Sequence, residues 1–204
     1  MKVELIQATE RPIETIANIA SICYGEQEVK EPIKLVKHLY KNGHHSVFEH
    51  IYFTWKIESI SRVCLAQLTR HRHCSFTVRS QRYCEETEKE LIVPIDIIEN
   101  DVHFLRWIET QAEIHKSYKI LLEGGVKKED ARFILSQSTA TDLYLSCNLR
   151  ELIHMANERL CDRAQWEIRE LIRKMVELVD DDLKFMLVKK CETGRIICDE
   201  CAGR

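Results

Sequence analysis

Between Arg70 and Arg82 the chain places four arginines, two histidines and three hydroxyl side chains without one acid, although its net charge is -3. Guanidinium and hydroxyl groups form charge-assisted hydrogen bonds to phosphate oxygens, each contributing about 1.5–3 kcal/mol. The composition fits a site for a small, multiply charged anion such as a nucleotide phosphate. A solvated basic loop is the plain alternative. Arg70, His71 and Arg72 are consecutive, and helical neighbours rotate by about 100°, so they cannot share one helix face. They fit a helix end that splays them toward different parts of a ligand. Ser80 and Arg82 stand two apart, which on an extended strand puts hydroxyl and guanidinium on one face. No acid within the island is available to pair with its arginines.

A second signal is polar residues in apolar stripes. In 149–160 the stripe reads Leu152, Met155, Ala156, then Arg159 and Leu160. Arg159 shares the face of Met155 and Ala156 and needs an anion, either an internal carboxylate or a ligand, unless it snorkels at the helix end. Gln67 follows Val63 and Cys64 with the same spacing. Its amide can read a base edge or satisfy backbone groups. Gln165, three before Ile168, has the same two readings. Asn148, Arg150 and His154 precede Arg159, with Arg150 and His154 one turn apart. His44, His45, Glu49 and His50 lack the i, i+4 histidine pair of a zinc enzyme, and no metal site is expected.

The elements that position these residues come from periodicity. Three prolines and six glycines in 204 residues favour long helices. Helical spacing predicts helices over 11–24, 31–42 (stopped by Gly43), 61–70, 101–123, 128–136, 149–160 and about 162–189. Period two predicts a strand over 51–57; Leu143–Cys147 reads as another and Leu91–Pro94 as a short extended piece. The whole reads as one α+β domain, 1–190, with a small mixed or antiparallel sheet, several long helices and a cysteine-containing tail, 191–204. The mildly acidic balance argues against a general nucleic-acid binder. No run of 18 apolar residues occurs, and Met1–Leu5 lacks the apolar core of a signal peptide. A cytoplasmic protein with no membrane partner and reduced thiols is expected. The tail holds Cys191, Cys198 and Cys201. A zinc knuckle would need a further ligand, such as Cys84 or a histidine; plain reduced thiols or a labile redox pair are the other readings.

Arg70-His71-Arg72, followed by seven residues and Ser80, resembles the signature of the flavin-dependent thymidylate synthases. Further segments match in order. They are Gly43–His50, Ser61-Arg62 before Gln67, Ser80–Tyr83, Ala131-Arg132, Asn148–Arg150, and Arg159 with Ala164–Glu167. The likeness spans about residues 15–185. It implies a homotetramer with shared active sites and reductive methylation of deoxyuridylate (dUMP) to thymidylate (dTMP). FAD would be the cofactor, with methylenetetrahydrofolate and NADPH as co-substrates. By position it implies FAD contacts from Arg70, His71, Arg72, Val78, Asn148, Arg150 and His154, with Ser46 from a neighbouring subunit. It implies nucleotide contacts from Gln67, Arg70, Arg79, Ser80, Gln81, Arg82, Arg132 and Arg159. His44 would lie near flavin and folate, and Arg159, beside the uracil edge, would be catalytic. The chain departs from the family pattern at Val78 and Arg79, where many members carry Glu or Gln, and Gln or a small residue. Two rivals remain beside this reading. One is a non-catalytic nucleotide- or RNA-binding module that uses residues 70–82. The other is a methylase with Cys161 or Cys74 as its thiolate.

Overall fold

The computed structural model describes residues 1–25, 28–194, 198 and 201. Its centre is a four-stranded antiparallel sheet in the order β1-β2-β4-β3, with β1 Lys2–Ala8, β2 Tyr52–Ser61, β3 Ser75–Val78 and β4 Ala140–Asn148. Alternation builds the two inner strands. Phe53, Trp55 and Ile57 of β2 and Leu143, Leu145 and Cys147 of β4 are buried on one face. The other face carries Tyr52, Thr54, Tyr144 and Ser146, with Thr54 and Ser146 sharing a 2.9 Å hydrogen bond. The mixed sheet left open by the sequence is thus purely antiparallel. β2 breaks register with β4 between Ile57 and Ile60. Ser59 there adopts φ +57°, a left-handed conformation costly for a residue with a Cβ.

Helices α1 (Pro12–Ser21), α2 (Pro32–Lys41), α3 (Arg62–Leu68), α7 (Leu149–Arg159) and α8 (Trp166–Glu177) contribute the rest of the core. Buried apolar side chains on α7 and α8 recur at helical spacing: Leu149, Leu152, Ile153, Met155 and Ala156, then Ile168, Leu171, Ile172 and Met175. Between β3 and β4 lie α4 (Ile95–Ile98), the long α5 (Asp101–Glu123) and α6 (Lys128–Ala131). Only Gln111 and Tyr118 of α5 are buried; Val102, Leu105 and Ile108 are exposed. Among the described residues no helix is long and apolar enough to cross a membrane.

Three expectations need correction. Residues 162–189 are not one helix. The Gln165 side chain accepts the N–H groups of Glu167 and Ile168 at 3.1 and 3.2 Å, so α8 begins after it. The Asp180 carboxylate accepts the N–H of Asp182 and opens a separate 3-10 helix, Asp181–Met186. Residues 128–136 shorten to α6 and a 3-10 turn, Arg132–Ile134, because Leu135 is extended. Ser80 and Arg82 do not lie on a strand. Ser80 Oγ accepts the Arg82 N–H at 3.2 Å, and its carbonyl accepts from Tyr83 and Cys84, which closes a turn just past β3.

Candidate active site

The end of α3 behaves as its three consecutive donors require. The N–H groups of Thr69, Arg70 and His71 still reach Leu65, Gln67 and Leu68 carbonyls, and the chain then leaves the helix. His71 turns inward and is 4% exposed, whereas Arg70 and Arg72 are exposed and form no ion pair among the described residues. His71 Nδ1 lies 3.2 Å from Glu151 Oε1, and Arg159 Nε–H donates to His71 Nε2 at 3.0 Å. An arginine has no lone pair to offer, so Nε2 must be the acceptor and the imidazole proton sits on Nδ1, directed at Glu151. Burial pushes the His71 pKa down to about 4, and the Arg159 charge adds to this. Burial pushes Glu151 up, opposed by His154 and His73. Neutral imidazole, anchored by a carboxylate, therefore orients the guanidinium. A second Arg159 bond runs from Nη2 to the Gln67 carbonyl at 3.4 Å. Among the described residues Arg159 makes no ion pair, so its charge is held by neutral acceptors. His71, Glu151 and His154 also bring potential ligand atoms within 4.8 Å of one another. The adjacent guanidinium is a poor neighbour for a cation.

Asn148, Arg150 and His154, which the spacing singled out, line a groove of about 660 Å³ with Tyr40, His45 and His73. Asn148 Oδ1 caps α7 by accepting the Glu151 N–H at 2.9 Å. Arg150 is ion-paired with Glu49. The exposed His154 ring meets His71 edge-on, with centroids 5.6 Å apart. The groove thus offers imidazole, amide and guanidinium donors. That donor set suits an anionic dinucleotide.

The basic turn lies elsewhere, against α6. Arg82 Nε is 2.9 Å from Glu129 Oε2, and Arg132 Nε donates to the Glu129 carbonyl at 3.0 Å. Arg79 approaches Glu86 Oε1 at 3.4 Å, without good hydrogen-bond geometry. Acids outside the island, Glu86 just past it and Glu129 on α6, therefore pair with Arg79 and Arg82. Glu86 is fully buried, which raises its pKa against the pull of Arg79, Arg62 and Lys89. Burial lowers the Arg62 pKa, and the charges of Arg132 and Arg79 lower it further. Arg62 and Arg79 thus face one buried carboxylate, and Arg132 lies near enough to Arg62 to act on it. Ser80 and Gln81 are half-buried in the turn.

Val78 packs on the core side of β3, paired with Leu143. Ser46 and His44 are exposed, beside or within the 3-10 helix His45–His50. Gln67 Nε2 reaches Gln165 Oε1 at 3.5 Å, and Gln165 acts chiefly as the α8 cap. Sequence reasoning missed Glu151 as the anchor of His71. An acid set among Leu149, Leu152 and Ile153 was its only signal.

The sequence pattern of the thymidylate synthase complementing protein family matches residues 4–183. The chain belongs to this family. The flavin-dependent thymidylate synthase of Pyrococcus furiosus is 42% identical over 190 residues, covering 87% of this chain and 78% of that protein. That of Geobacter sulfurreducens is 36% identical over 221 residues, covering 99% and 95%. Among solved structures, thymidylate synthase X from Helicobacter pylori, crystallised with FAD and dUMP, superposes with a TM-score of 0.74 at 23% identity, covering 94% of this chain and 99% of that one. The UMP/dUMP methylase PolB from Streptomyces cacaoi, bound with 5-Br dUMP, has the same TM-score at 24% identity, covering 86% and 88%. These two likenesses establish the thymidylate synthase fold. The His71-Glu151-Arg159 chain and the groove at Asn148–His154 lie within the family match.

Proposed function

We propose that this chain reductively methylates dUMP to dTMP, with methylenetetrahydrofolate as carbon donor and NADPH as reductant of bound FAD. The observation that carries this reading is Arg159, a half-buried cation held among the described residues only by His71 Nε2 and the Gln67 carbonyl. Its charge is free to meet a ligand anion. At the uracil edge it would stabilise the negative charge that must develop when carbon 5 is made nucleophilic. Reduced FAD, when bound, would supply the hydride. Arg70, His71, Arg72, Asn148, Arg150 and His154 would hold that cofactor in the groove, and Ser46 would reach it from a neighbouring subunit. Val78 would contribute backbone contacts, since its side chain faces the core. Arg79, Ser80, Gln81, Arg82 and Arg132 would hold the nucleotide phosphate, with Arg82 exchanging Glu129 for it. Gln67 would face the base, and His44 would stand near flavin and folate.

A homotetramer fits the α5 surface. Val102 and Leu105 are 74% and 61% exposed, and Phe133 of the 3-10 turn Arg132–Ile134 is 84% exposed. The test is tritium release from dUMP labelled at carbon 5, with and without FAD. FAD-dependent release in the presence of folate and NADPH is expected. Tight dUMP binding without release would refute the assignment in favour of the non-catalytic binding module. Release that is independent of FAD but abolished by Cys74→Ser would favour the thiolate methylase.

A further inference from the structure

A second group of reactive side chains lies at the far end of α7. Cys161, just past that helix, has its Sγ 3.8 Å from Cys198 Sγ and 3.8 Å from Cys201 Sγ. The three sulfurs lie within 4.8 Å of one another. A disulfide needs about 2.05 Å, so no bond joins them. Four thiolates around Zn²⁺ at about 2.3 Å in a tetrahedron stand about 3.8 Å apart. A fourth thiol, Cys191, lies near Cys201 but outside this close group of three. Cys198 and Cys201 form a C-x2-C pair, the usual way for one loop to present two ligands. The partner that the tail lacked in sequence terms is therefore Cys161.

The surrounding structure builds this meeting point. Asn157 Nδ2 donates to the Val188 carbonyl at 3.0 Å, Lys189 Nζ is 3.3 Å from Asp162 Oδ2, and Lys190 Nζ is 2.9 Å from Glu158 Oε1. These contacts lay the chain against α7 just before Cys191. A 3-10 helix, Lys190–Thr193, then ends at Gly194 with φ +71° and turns the chain. The Asp162 backbone lies close to the Cys201 sulfur, an outer contact typical of thiolate ligands.

We propose that Cys161, Cys191, Cys198 and Cys201 bind one Zn²⁺, which fastens the C-terminal tail to the turn between α7 and α8. With Cys191 drawn in as the fourth ligand, the set would be all sulfur and closed, the pattern of a structural site with no open position for substrate. The turn it fastens begins two residues after Arg159 and ends at Gln165, the α8 cap.

The test is metal analysis of the full-length protein, purified without chelator and dialysed briefly against EDTA. About one zinc per chain is expected, falling below a tenth in Cys198→Ser/Cys201→Ser and in Cys161→Ser, and unchanged in Cys84→Ser. Cobalt in place of zinc should show the intense visible bands of tetrahedral thiolate coordination. Titrating wild type with a mercurial should release zinc in step with about four thiols, a readout that needs no variant. Removing the zinc should lower the thermal midpoint by at least about 4 °C. Three results would overturn the proposal. They are wild type without zinc and with all thiols titratable, a Cys198–Cys201 disulfide or an iron–sulfur chromophore in the purified protein, or full zinc content in Cys198→Ser/Cys201→Ser.

Discussion

Replacing Glu151 by leucine tests the claim that a carboxylate orients Arg159 through His71. Glu151 and His71 are 5% and 4% exposed, so water cannot take the place of the lost acceptor. The variant has two options. It can keep the imidazole proton on Nδ1, which strands a buried donor at a cost of about 1–3 kcal/mol. It can instead move the proton to Nε2, which faces the Arg159 Nε–H at 3.0 Å and breaks that bond. Either way about 1–3 kcal/mol of stability is lost, read as a lower urea midpoint. In the second case the guanidinium is also released. A loss of about 1.4 kcal/mol in transition-state stabilisation is a tenfold fall in kcat, measured by tritium release. Glu151→Gln keeps an acceptor for Nδ1–H and should stay much closer to wild type. In Glu151→Leu/His71→Leu both polar partners are gone, so stability should largely recover while kcat does not. The reasoning fails if Glu151→Leu matches wild type in both measurements. It also fails if glutamine does as much harm as leucine, because charge alone would then be responsible.

Arg159→Ala should lower kcat by about 10²–10³ while FAD stays bound, as judged by flavin absorbance; wild-type turnover would end its catalytic role. Ser61→Ala should cost about 2–4 kcal/mol in urea unfolding, because Ser61 Oγ both caps α3 at Cys64 N–H and donates to the buried Glu167 carboxylate. A cost under about 0.5 kcal/mol would contradict that double role. Stability should fall on acidification. The folded His71 pKa is depressed to about 4 and the unfolded chain protonates near 6.5, so the unfolded state binds more protons between those values. The contribution present above pH 6.5 is lost toward pH 4, and Glu151, raised by burial, opposes it in the lower part of that window. His71→Asn should flatten the urea midpoint between pH 6.5 and 5, and an unchanged slope would exclude His71 as its source.

Local periodicity read α5 to the residue and found β2 and β4, because buried strands and long helices are governed by their own repeat. The splay of Arg70, His71 and Arg72 was equally legible, being a matter of helical rotation. Interactions between distant residues were not. His71 and Glu151 are 80 residues apart in sequence, and no local pattern says which buried acid meets which imidazole. The same holds for Arg82 with Glu129 and for Cys161 with the tail. The break at Asp180 and the turn at Ser80 were hidden differently. There a single side-chain oxygen captures a backbone N–H and overrides the surrounding pattern.

The strand order β1-β2-β4-β3 has a consequence for how the chain is made. β4 lies between β2 and β3, yet it is the last strand to be synthesised. A nascent chain that has emerged only through α5 carries β2 with one bare edge and β3 with no neighbour, and Trp55, Ile57 and Phe76 lack their cover. Bare strand edges beside apolar surface invite pairing with other chains. A ribosome stalled before residue 140 therefore holds a sticky half-sheet, and a fragment ending there should aggregate instead of folding. The strand that completes the sheet leads directly into α7, so the chain acquires its apolar core and its candidate catalytic arginine in the same late step.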